Sequence, residues 1–239
     1  MYYWSIIADS MLRRMIVDLI CCMLIGYFIG TVNPSYLIAK AKGFDIRTKG
    51  SGNAGASNAL ILFGKLTGFF CALFDIAKAY FIIMLSEVLF EKFELAFVIT
   101  GTFCVIGHIF PFYMKFKGGK GLASLSGMVL YYDFKVFLIL LVTAIIIVLV
   151  SDYICFVPII ASIVFPFIYL FSEHNMLGFL VLFGITFSVI FRHAENLKRI
   201  RLGTEMHLSY LWNPEKEMKR MKRNILSDEK KTDEHFLIK

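Results

Sequence analysis

Three stretches of this sequence gather the residue types that hold a phosphate. In "RTKGSGNAGASNA", Arg47–Ala59, Gly50, Gly52 and Gly55 stand at G-x-G-x-x-G spacing among Ser51, Asn53, Ser57 and Asn58. Glycines let successive backbone N–H groups turn toward one point. Hydroxyls, amides and the cations Arg47 and Lys49 then add donors to that concavity. In "GHIFPFYMKFKGGKGLAS", Gly107–Ser124, flexible glycines flank Lys120 just before a helix whose first amides also favour an anion. In "IFRHAENLKRIRLGTE", Ile190–Glu205, the spacing places Arg192, Asn196 and Arg199 on one helical face with His193 beside it. Glu205 follows at a distance that allows pairing with one of these arginines.

The same spacings exclude other chemistries. G-x-G-x-x-G is also the dinucleotide fingerprint, and Asp75 lies about twenty residues on, where that motif keeps its ribose-binding acid. The fingerprint needs a preceding strand, however. Here an apolar run precedes it, and Asp75 sits inside another, "CALFDIAKAY". "KGGKG" is no Walker A loop, because Gly121 follows the lysine where Ser or Thr should. No carboxylate pair, cysteine nucleophile or metal-ligand spacing accompanies the three stretches, so neither a metal nor a cofactor is expected. Singly, they also fit a turn rich in breakers, a basic anchor at a membrane surface and a juxtamembrane helix on anionic lipid. His108, at the end of an apolar run, fits a packed histidine. Jointly, three such loops on one membrane face point to phosphate recognition at a lipid interface.

The elements that must position them are membrane helices. The chain has 239 residues, 58% hydrophobic and 18% charged, and its apolar runs approach or exceed the roughly 18 residues that cross a bilayer. The runs are Ile16–Ala39, Leu66–Phe90, Glu94–Met114, Gly121–Tyr132, Phe134–Ser151, Tyr153–Phe171 and Met176–Phe191. The expected fold is all-α, a polytopic membrane protein of about seven transmembrane helices with its site at the cytoplasmic face. Residues 1–212 form a single transmembrane domain, and 213–239 a charged cytoplasmic tail, helical at first and then partly disordered. Pro34, Pro111, Pro158 and Pro166 should kink or end helices where neighbours satisfy the freed carbonyls. The five cysteines all lie in apolar runs and read as free buried thiols.

Basic residues sort by side. Lys40–Lys49, Lys115–Lys120 and everything after Arg192 fall on one side, whereas "FEKFE", "YYDFKV" and "FSEHN" are nearly neutral. The positive-inside rule puts the N-terminus outside and the C-terminus in the cytoplasm, with Arg13 and Arg14 outside and partly offset by Asp9 and Asp18. The formal charge of +7 sits in these loops and the tail and does not imply nucleic acid.

Taken together, "GSGNAGASNA", "GHIFPFYMKFKGGKGLAS" and "IFRHAENLKRIRLGTE" resemble the three motifs of the PlsY family, bacterial acyl-phosphate:glycerol-3-phosphate acyltransferases, in order and spacing from about Ile25 to Glu205. "DIRTKGSGN", and Asp75 with Lys78, agree further. The resemblance implies transfer of an acyl chain from acyl phosphate to the 1-hydroxyl of glycerol-3-phosphate in a bacterial cell membrane. The products are lysophosphatidic acid and phosphate. Membrane lipids are the surrounding partners, and oligomeric state is not implied. On that resemblance, Lys120 with the amides of Gly118, Gly119 and Gly121, and Ser124, holds one phosphate. Arg47, Ser51, Asn53 and Asn58 serve the other phosphate or the acyl carbonyl. His193 and Asn196, beside Arg192, orient the hydroxyl or a phosphate, and Glu205 braces the third motif. A phosphate oxygen accepts the hydroxyl proton; His193 as general base is the alternative, given its usual pKa near 6.5. Three positions depart from the family's pattern: Ile61, where an arginine is usual, and Cys155 and Pro158, where serines are.

Two other functions compete. Kinked helices and basic loops also suit a transporter of phosphate-bearing lipids or anions, although such a path should carry polar residues at mid-membrane. A non-catalytic lipid binder would act through its tail. Deleting Asn213–Lys239 abolishes function in the binder, whereas catalysis largely survives it in the enzyme.

Overall fold

In lipid each backbone N–H and C=O must find its partner within the protein, so this sequence makes helices. The computed structural model describes residues 2–211, 213 and 215–224, and no strand occurs among them. The helices are α1 Tyr2–Thr31, α2 Pro34–Ala41, α3 Ala56–Phe63, α4 Lys65–Leu89, α5 Ala96–Ile109, α6 Leu122–Tyr132, α7 Phe134–Ser151, α8 Phe156–Glu173 and α9 Met176–Arg201. Residues 215–224 form a further helix, α10. All seven expected segments are helical, but they are not equal. Five reach spanning length (α4, α5 with its following turn, α7, α8 and α9), and α1 with α2 makes a sixth if that bent pair is one span. At 11 residues α6 stays short. The chain is therefore a multi-pass membrane protein.

The first expected span, Ile16–Ala39, is broken at Val32–Asn33, where the two helices bend by 41°. Pro34 opens α2, and the Asn33 side chain caps it by accepting from the Tyr36 amide at 2.9 Å. The break leaves carbonyls without helical partners inside the membrane. Lys78 Nζ donates to those of Gly30 and Val32 at 3.0 and 2.6 Å, and the Tyr113 hydroxyl to that of Thr31 at 2.6 Å. Asp75 balances the lysine at 2.6 Å, with His108 Nδ1 3.4 Å from the same oxygen. The two buried charges of α4, Asp75 and Lys78, thus serve the helix break. Pro166 inside α8 has no N–H for the Ser162 carbonyl, and Thr186 of α9 donates its hydroxyl there at 2.6 Å.

Close helix crossings depend on small residues. A side chain at Gly26 or Gly30 of α1 would strike the α5 backbone at Thr100 or Cys104, and one at Gly107 would strike Tyr27. The main core joins Ile83, Phe97, Leu125, Met128, Phe165, Tyr169, Leu182 and Ile185. One end of the bundle is tied by Tyr131 to Glu87 and Tyr132 to Glu173. Helix α7 is the exception: it packs against α6 and α8, and none of its 18 residues is buried. All five cysteines are free; four are buried and Cys21 is partly so. Arg13 and Arg14 pair with Asp9 and Asp18 at one-turn spacing. The tail begins as the expected helix, but it docks on the protein rather than standing in solvent. Residues 225–239, expected to be disordered, lie outside the described residues.

Candidate active site

The glycine loop is built around one side chain. Asn58 is fully buried. Its Oδ1 accepts the Ser51 amide at 2.8 Å, and its Nδ2 donates to the carbonyls of Ile46, Lys49 and Asn53 at 2.9–3.0 Å. Gly50 has φ +61°, and any side chain there would collide with Asn58 Oδ1, so this glycine is required by both conformation and space. Asn58, expected as a substrate contact, is instead the loop's internal scaffold and does not line the cavity below. Asn58→Ala should cost roughly 3 kcal/mol, because it strands several buried backbone groups. Thermal unfolding in detergent measures this, and a loss under about 1 kcal/mol would show that the loop holds its shape without it.

Arg47, also expected at substrate, is engaged elsewhere. Its guanidinium pairs with Asp45 at 2.6 Å and donates to the carbonyls of Met114 and Lys117. It therefore rivets the first motif to the second. The hydrogen bonds from Arg47 hold the Asp45 carboxyl below its usual range. Asn33 ties the first motif to the start of α2, donating from Nδ2 to the Ala54 carbonyl at 2.7 Å.

In the second motif the glycine amides correct the expectation of a phosphate cradle. Gly118 N donates to the Ile109 carbonyl at 2.9 Å and Gly119 N to that of His108 at 3.1 Å. Both amides are thus taken up in folding the loop back on the end of α5. Side chains at these positions would strike Pro111 and His108, so the glycines admit close packing. Gly121 stands at φ +92° as the N-cap of α6 and does line the cavity. Ser124 is buried in α6 with its hydroxyl unpartnered, and it does not line the cavity. Arg192, from the third motif, donates to the Gly118 carbonyl at 2.9 Å and likewise lies outside the lining.

The remaining residues form a relay. Lys120 Nζ donates to Asn196 Oδ1 at 2.5 Å, and Asn196 Nδ2 donates to Glu205 Oε1 at 2.5 Å. The other Glu205 oxygen accepts Arg199 Nε at 2.7 Å. Burial drives the Lys120 pKa down from 10.5 to about 8, against the raising effect of Glu205. His193, 2% exposed, has its Nδ1 2.8 Å from the Val189 carbonyl. A carbonyl can only accept, so Nδ1 carries the proton and Nε2 is left as an acceptor.

A cavity of about 310 Å³ collects the three motifs: Ser51, Asn53, Lys120, Gly121, His193, Asn196 and Glu205 all line it. Asn53 Oδ1 is buried there without a partner. All three departures from the family's pattern, Ile61, Cys155 and Pro158, line it as well, so they change the wall of the site rather than distant surface. Burial pushes the Cys155 thiol up to about 11, which keeps it protonated and unsuited to nucleophilic attack. No cluster able to hold a metal occurs among the described residues. Sequence reasoning missed His207, which joins the lining and meets Asp152 at 3.2 Å and the Tyr153 hydroxyl at 3.0 Å. Its spacing to those partners carries no local signal.

Comparison with known proteins places this arrangement. The profile described as glycerol-3-phosphate acyltransferase matches residues 20–203. A glycerol-3-phosphate acyltransferase of Thermotoga petrophila is 36% identical over 184 residues, 76% of this chain and 92% of its own length. One from Coxiella burnetii is 35% identical over 188 residues, 78% of this chain and 96% of its own. The fold resembles crystal structures of PlsY, an integral membrane glycerol 3-phosphate acyltransferase. Its glycerol 3-phosphate form gives TM-score 0.73 at 28% identity, covering 81% of this chain and 96% of that one. Its lysophosphatidic acid form gives 0.70 at 29%, with the same coverage. A profile match spanning most of the chain, full-length relatives and a shared fold agree with three motifs meeting in one cavity: the chain belongs to the glycerol-3-phosphate acyltransferase family.

Proposed function

We propose that the protein transfers an acyl chain from acyl phosphate to the 1-hydroxyl of glycerol-3-phosphate at the cytoplasmic face of a bacterial cell membrane, with its N-terminus outside. The observation that carries this reading is the meeting of Lys120, Ser51, Asn53, His193 and Asn196, from three separate loops, around one cavity. Acyl phosphate is a mixed anhydride. The substrate hydroxyl oxygen attacks the acyl carbon, a new ester C–O bond forms, and the bond to phosphate breaks with its electron pair leaving on phosphate. The hydroxyl proton passes to a phosphate oxygen. No covalent enzyme intermediate is needed, which agrees with the protonated Cys155. The protein's work is to hold two mutually repelling phosphates together and stabilise the oxyanion.

Lys120, partly buried, supplies an ammonium that pairs with no carboxylate among the described residues, and contacts a phosphate. Ser51 and Asn53, which line the cavity, hold the second phosphate or the acyl carbonyl by donating from the Ser51 hydroxyl and the Asn53 Nδ2. His193 accepts a hydrogen bond at Nε2 from the glycerol 2-hydroxyl and so aims the neighbouring 1-hydroxyl, whose own proton stays free for the phosphate oxygen. Asn196 and Glu205 fix Lys120. Arg47, Asn58, Gly118, Gly119 and Arg192 act one step back by shaping the loops, and Ser124 packs in α6.

The test is purified full-length protein in detergent with long-chain acyl phosphate and glycerol-3-phosphate, reading released phosphate and lysophosphatidic acid. Saturable binding of both without turnover in folded protein would overturn the catalytic reading and favour a carrier or binder of phosphate-bearing lipids. Equal rates with acyl-CoA would overturn the donor.

A further inference from the structure

The chain continues beyond the region that the family profile matches, residues 20–203, and α10 turns back to the cavity. Arg220 Nη1 donates to the Gly203 carbonyl at 2.7 Å, and Nη2 to the Glu205 carbonyl at 2.6 Å. The same guanidinium grips Glu217, at 3.0 and 2.6 Å. Glu217, only 4% exposed, accepts the His207 amide at 2.9 Å. Asn224 Nδ2 adds a bond to the Gly203 carbonyl at 2.7 Å. A planar, permanently charged fork suits this task, because it can reach two carbonyls and a carboxylate at once.

The segment held in this way is a wall of the cavity, formed by Glu205, Met206, His207 and Leu208. One residue links wall and relay: the Glu205 backbone is bound by Arg220, while its side chain holds Asn196 and Arg199, and Asn196 holds Lys120. On its other side the wall is tied to the α7–α8 turn, through Leu208 N to the Asp152 carbonyl and His207 to Asp152 and Tyr153.

We propose that Arg220 and Glu217 are positioning residues for acyl transfer, clamping the backbone from which Glu205 sets Asn196 and Lys120. The inference rests on the acyltransferase reading above. It also changes the expectation that catalysis largely survives deletion of Asn213–Lys239, because the described part of the tail completes the wall.

The test uses full-length protein with Arg220→Ala, Arg220→Lys, Glu217→Gln and, as control, the exposed Lys219→Ala. Arg220→Ala should lower kcat/KM about tenfold, the scale of losing charge-assisted hydrogen bonds. Arg220→Lys, which can remake one bond, should recover part of it, and Glu217→Gln should fall between. The alkaline limb of the rate profile should also move to lower pH. Glu205 raises Lys120 toward its charged form, whereas burial, Arg199 and Arg192 oppose it, so a displaced Glu205 leaves the lysine easier to deprotonate. A fall in rate with an unmoved alkaline limb, or an equal fall in Lys219→Ala, overturns positioning. Amide hydrogen exchange gives a readout independent of activity. Residues 203–208 should exchange about tenfold faster in Arg220→Ala, and unchanged exchange overturns the clamp. If the wild type shows no acyl transfer while exchange still responds, the acyltransferase reading fails and the clamp stands.

Discussion

Lys120→Ala should lower kcat/KM for acyl transfer by about a thousandfold while the protein remains folded. The effect is large because the ammonium acts inside a cavity where water screens it little, facing charge that develops on a phosphate or oxyanion. Among the described residues the arginines of the motifs do not take its place: Arg47 and Arg192 are committed to carbonyls and Arg199 to Glu205. The same burial predicts a pH dependence. With its pKa lowered to about 8, the free lysine is charged below that value and loses its charge as pH rises through it. Affinity of the free protein for glycerol-3-phosphate should therefore decline above about pH 8, and the Lys120→Ala variant should lack that decline. For stability the sign reverses. Between about 8 and 10.5 the unfolded chain binds the proton that the folded one has released, so stability rises with pH in that window. Titration calorimetry across pH reads the first effect; a flat profile in the wild type would remove Lys120 from phosphate binding.

His193→Ala should lower kcat about a hundredfold or more, with a smaller change in KM for glycerol-3-phosphate. The proposed task of Nε2, aiming the hydroxyl at the acyl carbon, is exercised mainly in the transition state. The proton's destination can be separated from this role. If a phosphate oxygen takes it, the acid limb of the wild-type profile follows substrate ionisation and persists in the variant. If His193 is the base, that limb belongs to the imidazole and vanishes with it. A variant with nearly wild-type kcat would discard both roles.

Much of this was legible in the sequence because the membrane narrows the options. Apolar run lengths located the helices, and Asn33–Pro34 carried the signal for the bend, since proline opens helices and asparagine caps them. That the three polar loops converge followed from placing them on one side, but the contacts of Lys120 with Asn196 and of Asn196 with Glu205 did not. Which polar groups face the cavity was not legible. Asn58 and Arg47 have the chemistry of phosphate ligands, yet their donors satisfy backbone carbonyls exposed by tight turns, and only the folded loop reveals those carbonyls. Gly118 and Gly119 gave an anion-nest pattern for the same reason that they fold tightly on α5. The docking of α10 was hidden because "PEKEMKRMKRN" has the charge scatter of a solvated helix, and Glu217 and Arg220 differ from their neighbours only in what they meet.

The unburied α7 has a consequence for handling the protein. A helix with no buried residue is kept upright by the hydrocarbon around it more than by its neighbours. Its C-terminal end carries the Asp152–Cys155 turn, which anchors His207 and closes one side of the cavity. The solvent chosen for purification thus becomes part of the catalytic architecture. A thin or short-chain micelle would let α7 lean by mismatch and carry the cavity mouth with it, whereas a bilayer nanodisc of native thickness would hold the turn in place.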